Sequence, residues 1–204
     1  MRLKFYCMLS LASLFVFSSA PRPQDLQKPA KSASEFTSSD LPIIIINTNG
    51  QEIIDDPKIT ADMGIIDNGS ARNNVTDSFN GYNGKIGIEL RGSTSQDFPK
   101  KPYAVELRDT LGADLEASLL GMAKNEDWIL YATYNDKTFM RDILIYKLAC
   151  QLGWYASRTR YCELVLNGEY MGVYVLMEKI KRGKNRVNIA KMDTTCISGD
   201  ELTG

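Results

Sequence analysis

"YCELVLNGEYMGVYVLM", residues 161–177, places an Asn-Gly pair, Asn167 and Gly168, between two runs of alternating apolar residues. Both residues tolerate positive φ, which a two-residue turn between twisted strands requires, so the pair in this setting signals a β-hairpin. Within the second strand, Tyr170, Gly172 and Tyr174 read as packing: the glycine permits close approach and the tyrosines cover it. The strand runs into "EKIKRGKNRVNIAKMD", residues 178–193, whose charge and Gly183 end the regular pattern.

Upstream lies "NDKTFMRDILIYKLACQLGW", residues 135–154. Asn135 or Asp136 can cap the start of a helix there, and Gly153 stands where one ends. Phe139, Met140, Ile143, Leu144, Leu148 and Leu152 form a broad apolar stripe, which predicts a helix well buried on one side. Lys137 and Arg141 share another face, by default a solvated one.

Further back, "KIGIELRG" (85–92) alternates, with Ile86, Ile88 and Leu90 on one face. "KPYAVELRD" (101–109) does the same with Tyr103, Val105 and Leu107. Between these strands sits a hydroxyl-rich loop of Ser93, Thr94 and Ser95, followed by Lys100 and Lys101. Hydroxyls held near a lysine at the mouth of a strand suit a phosphate, or else form an ordinary polar turn. Strand parity puts Lys101 on the face of Tyr103 and Lys100 on the other. A lysine on an apolar face needs an anionic partner or must escape to the edge as a solvated lysine; for phosphate contact Lys101 is the first candidate and Lys100, through a bulge near Pro99, the second. The run "LPIIII" predicts a buried strand near residue 41; residues 50–84, rich in Asn, Asp and Gly, read as loop with at most one short strand.

The 204 residues suit one domain with a tail. A formal net charge of −1 offers no basic excess for nucleic acid. Zero histidines remove Ser-His-Asp and Cys-His catalysis and histidine-ligated zinc. Residues 1–20, with Arg2 and Lys4 before an apolar run and small residues, read as a secretory signal peptide, too short for a membrane anchor. Residues 21–40 read as a flexible linker, residues 41–190 as the domain, and 191–204 as a polar tail or the start of another unit. Export would permit disulfides, but Cys150, Cys162 and Cys196 are an odd set, and Cys150 and Cys162 fit buried helix and strand positions.

The order strand, loop, lysine-bearing strand, helix, hairpin, charged connector is that of the N-terminal lobe of a kinase-like nucleotide-binding fold. Three strings, "RGSTSQDFPKKPYAVEL", "DWILYATYNDKTFMRDILIYKLACQLG" and "YCELVLNGEYMGVYVLMEKI", together resemble the spore-coat protein H (CotH) kinase family. The resemblance covers about residues 85–190. Arg91, Gly92 and Ser95 match its loop, Lys100 and Lys101 its paired basic positions, and Asp136 and Arg141 its helix start. Asn167, Gly168, Tyr170, Gly172 and Tyr174 match its hairpin, and Glu178 the acid that ends the last strand.

The resemblance implies an α+β fold: a mostly antiparallel sheet with one main packed helix. It also implies an exported atypical protein kinase that uses ATP and a divalent metal (Mg) on Ser or Thr of a coat or cell-surface protein. Nucleotide contacts would then come from Ser93, Thr94, Ser95, Lys100, Lys101 and the connector Glu178, Lys179 and Ile180, with Asp142 a candidate partner of Lys101. In such kinases the catalytic and metal-binding aspartates lie in a second lobe, so no catalytic or metal residue is assigned here. The stretch after residue 190 is too short for that lobe, and the chain is therefore expected to be the nucleotide-binding half, inactive by itself. The alternative is a non-catalytic surface or adhesive module that keeps the lobe.

Overall fold

A computed structural model describes residues 36–191 of the chain. The expected signal peptide, the linker up to residue 35, Cys7, and the tail from residue 192 with Cys196 lie outside the described residues. The strands are Ser38–Ser39 (β1), Ile43–Asn47 (β2), Ile59–Ile66 (β3), Asn73–Asn74 (β4), Tyr82–Leu90 (β5), Tyr103–Arg108 (β6), Asp127–Tyr131 (β7), Thr159–Leu166 (β8) and Glu169–Glu178 (β9). Among the described residues one α-helix, Arg141–Gln151 (α1), sits between β7 and β8. No described helix is long and apolar enough to cross a membrane.

Seven strands close into a barrel in the order β2-β3-β5-β6-β7-β9-β8. All neighbours are antiparallel except the closing pair, in which β2 runs parallel to β8 from Ile43↔Glu163 to Ile46↔Leu166. Alternation fills the interior: Ile44 and Ile46, Met63 and Ile65, Ile86 and Ile88, Val105 and Leu107, Trp128 and Leu130, Cys162 and Leu164, and Tyr174 and Leu176 share one core. Fully burying such side chains stabilises by roughly 1.5–3 kcal/mol each, which makes the barrel lumen the main store of stability. Cys162 is fully buried there, and burial pushes its thiol up to about 12.

The closed barrel corrects the expected α+β lobe with one packed helix. Helix α1 has no buried residue. Ile143 and Tyr146 rest half-buried on Ile129, Val175 and Met177 of the outer barrel face, while Met140, Leu144, Leu148 and Leu152 of the predicted stripe are exposed. Cys150, expected inside, is exposed too. The helix also begins later than its sequence suggests, because Phe139 has φ +59 and interrupts the turn. Asp136 still serves that start: its carboxylate accepts from the Thr138 hydroxyl at 2.6 Å and from the Arg141 amide at 2.9 Å. These bonds hold its pKa down at about 2.

Residues 50–84 depart from the loop expectation, since β3 is a full barrel strand. Its alternation is obscured by Gly64, where the Phe79 ring occupies the space a side chain would take. Phe36 to Asp40, which composition assigns to a linker, carry β1, and Phe36 stacks on Tyr170 with centroids 4.1 Å apart.

The hairpin forms as its turn dictates, with Asn167 at φ +51 and Gly168 at φ +80. Past it, Leu164 pairs with Gly172 but Val165 with Tyr170, so Met171 is an extra residue and β9 bulges. Gly172 takes φ +88 there. Gly172→Ala is expected to cost about 1–2 kcal/mol, the left-handed penalty of a residue with a Cβ, read as a lower urea midpoint at unchanged slope.

Candidate functional site

The bulge in β9 prepares a seat for a lysine. The last β7–β9 pair is Tyr131↔Val175. Beyond it, Lys100 reaches across and donates to the Val173 carbonyl. Its ammonium lies 4.4 Å from the Tyr174 ring centroid and 5.2 Å from that of Phe139, close enough for attraction by the ring faces. Burial lowers the Lys100 pKa to about 8.

Strand parity places Lys101 on the face of Tyr103, and it is Lys100 that takes this seat. Strand β6 begins at Tyr103, and the segment between the strands contains a 3₁₀ turn, Thr94–Asp97, followed by bends at 98–100. Alternation therefore does not carry back through Lys100. Lys101 folds onto its own turn, donating to the Gln96 carbonyl at 2.5 Å, while its backbone carbonyl accepts from the Tyr174 hydroxyl at 3.0 Å.

The hydroxyl loop is braced from outside. Gln96 Nε2 donates to Asp55 Oδ1 and to the Gly92 carbonyl, each at 2.6 Å. Gly92, at φ +99, leaves its Cβ space to the Ser95 side chain. Ser93 and Thr94 are exposed and Ser95 is half-buried. Ser95 and Lys100 meet at a small cavity of about 100 Å³, closed by Phe98, Tyr131, Thr133 and Tyr134.

Tyr131 also borders a second, larger hollow, a groove of about 360 Å³ under α1. Here Arg91, from the end of β5, faces Asp142 and Tyr146 of α1 and the connector Glu178, Lys179 and Ile180. Ile129 and Met177 provide an apolar floor. Asp142 is not paired with Lys101: it accepts from the Tyr131 hydroxyl at 2.7 Å. Burial, and then Asp142, push the Tyr131 phenol up to about 12.

The connector residues differ in what they offer the groove. The Glu178 carboxylate is buried in an ion pair with Arg186 and a second with Arg158 at 2.6 Å. Lys179 lies 3.4 Å from Asp127, and Ile180 is exposed. The structure thus gathers Arg91, Asp142 and 178–180 in one groove and Ser95 with Lys100 in the adjoining cavity, and leaves Ser93, Thr94 and Lys101 on the turn. Sequence reasoning missed Tyr131, Ser157, Arg158 and Arg186. The two arginines stand in charged stretches with no spacing that marks them as partners of Glu178.

Residues 88–203 match the family profile described as CotH kinase protein. The chain belongs to the CotH kinase protein family. A search of curated proteins finds no match to it. The matched span begins within β5 and takes in both hollows of this CotH kinase family chain. Among the described residues there is no group of three His, Cys, Asp or Glu that could hold a metal ion. The groove under α1, a few hundred Å³ with an apolar floor and a few polar groups, has the usual form of a small-molecule site.

Proposed function

We propose that the groove under α1 is the nucleotide contact of an exported, ATP-dependent protein kinase acting on serine or threonine of a coat or cell-surface protein. One observation carries this reading: Arg91, α1 and the connector 178–180 converge on one apolar-floored groove, beside the cavity that holds Ser95 and Lys100. Membership of the family supports the class of chemistry. The apolar run of residues 1–20 supports export.

In this arrangement the base lies against Ile129 and Met177, and the backbone of 178–180 offers its polar groups to the base edge. Arg91 offers a guanidinium fork to phosphate oxygens. ATP, when bound, supplies the transferable phosphoryl group. The loop of Ser93, Thr94 and Ser95 covers that end, held in shape by Gln96 and Lys101.

A second reading, a non-catalytic surface module, is favoured by the fact that Lys100 and Lys101 both donate to backbone carbonyls. Titration of the full chain with a fluorescent ATP analogue separates the two. Saturable binding is expected, with Arg91→Ala weakening it about tenfold or more, the worth of a charge-assisted contact. No binding, or binding indifferent to Arg91, leaves the surface-module reading standing.

A further inference from the structure

Strand β8 is paired on both sides for only half its length. Pairing with β2 begins at Ile43↔Glu163, and the Glu163 amide donates to the Pro42 carbonyl at 2.8 Å. Toward the start of β8, at Thr159–Cys162, β9 lies on one side and no described strand lies on the other. The Arg158 carbonyl accepts from the Glu178 amide on the β9 side. Backbone direction alternates along a strand, so Thr159 and Tyr161 turn their amides and carbonyls to the open edge. Arg160 Nη1 covers the Thr159 carbonyl at 2.9 Å.

A groove of about 330 Å³ runs beside this edge, between α1 and β8. Ile143, Tyr146 and Tyr161 give it an apolar side. Its charged groups are Lys147, Arg158 and Arg160, with no carboxylate among the lining residues. Arg158 is committed to Glu178; among the described residues Lys147 and Arg160 form no ion pair and are exposed. The chain as a whole is slightly acidic, so this basic lining is local and not a general excess. Ser157, which lines both this groove and the one beside it, is 1% exposed, and among the described residues its hydroxyl has no hydrogen-bond partner. A buried hydroxyl left unpaired is costly, and a ligand's acceptor would satisfy it.

We propose that this groove and edge bind an extended acidic segment of a partner protein, added as a strand beside Thr159–Cys162. The backbone of the added segment pairs with Tyr161, its carboxylates meet Lys147 and Arg160, and its alternate apolar side chains lie on Ile143 and Tyr146. Open strand edges are ordinarily blunted or covered in native proteins, and charge complementarity selects the partner. The inference does not depend on nucleotide binding in the neighbouring groove.

The test is fluorescence anisotropy of the full chain with a fluorescein-labelled peptide of alternating Glu and Val. The same peptide N-methylated at alternate residues and a Lys-Val counterpart serve as comparisons. The Glu-Val peptide is expected to bind, and K147E combined with R160E to weaken it roughly tenfold. N-methylation should abolish binding by removing the ladder donors, and the Lys-Val peptide should not bind. Lys184→Glu, exposed and outside this groove, should change affinity less than about twofold. The proposal is overturned if the double reversal has no effect, if Lys184→Glu weakens binding equally, or if the N-methylated peptide binds as well as the parent.

Discussion

Glu178→Ala is expected to lower the unfolding free energy by about 3–5 kcal/mol, the cost of stranding a buried charge by removing its partner. The Glu178 and Arg186 side chains are both 0% exposed, and Arg186 Nη1 donates to Glu178 Oε1. Arg186 also lies over the Trp128 ring at 5.0 Å, and among the described residues its Nε and Nη2 have no hydrogen-bond partner. Burial already holds this guanidinium below its usual pKa, with Glu178 opposing that shift. Without the carboxylate, Arg186 stays charged in an apolar setting, the Arg158 guanidinium keeps only the Asn185 carbonyl, and the Arg158 amide loses its acceptor. Urea unfolding followed by circular dichroism measures the loss. Glu178→Leu combined with Arg186→Met should recover most of it, because a well-packed apolar pair replaces a buried ion pair at little cost. A single-variant loss below about 0.5 kcal/mol, typical of a surface change, would show that the pair does not hold the structure. The same geometry limits Glu178 in function: its carboxylate locks the chain after β9 to the barrel, which leaves the backbone of 178–180 for any ligand.

The sequence made local features legible and concealed long-range ones. The Asn167-Gly168 turn needs only its own φ preferences, and it stands where expected. The alternation in 86–90 and 103–107 likewise gives the inward faces correctly, because pleat period is a property of one strand. Barrel closure rests instead on β2 meeting β8, segments from opposite ends of the described chain, and no local pattern encodes that parallel pairing. The apolar stripe at 139–152 exists as a pattern, but periodicity reports what a helix offers and not what covers it. In the described structure only Ile143 and Tyr146 of α1 are packed against the barrel core residues. The site shows the same division. The loop and the connector are legible as segments, whereas which lysine reaches the bulge in β9 is decided by the turn and bends that separate β5 from β6.

That choice has a measurable consequence in the Lys100 ammonium, which is expected to titrate near pH 8. Its pKa is lowered from 10.5 to about 8, chiefly by burial. Between those values the unfolded chain keeps a proton that the folded chain has lost, so this group makes stability rise with pH across the window from about 8 to 10.5. Below about pH 8 the full cost of burying the charge is present. Cys162 and the buried tyrosines act with opposite sign. Their pKa values are raised by burial, so above the ordinary thiol and phenol range the unfolded chain loses protons that the folded chain retains, and stability falls. The two effects overlap in raw data, and the Lys100→Met variant separates them. The difference in unfolding free energy, wild type minus variant, should climb between pH 8 and 10.5 with a slope approaching one proton. Carbon-13 NMR of the lysine ε-carbons should show one resonance moving near pH 8 in the wild type and missing from the variant. A flat difference with all lysines titrating above pH 10 would place Lys100 in water, and the carbonyl and ring seat described for it would be wrong. If the titration does appear, phosphate has a defined rival. A nucleotide bound at the adjoining groove must draw the Lys100 proton donor away from Val173 to use it, and bound nucleotide would then raise this pKa, because a neighbouring anion favours the charged form.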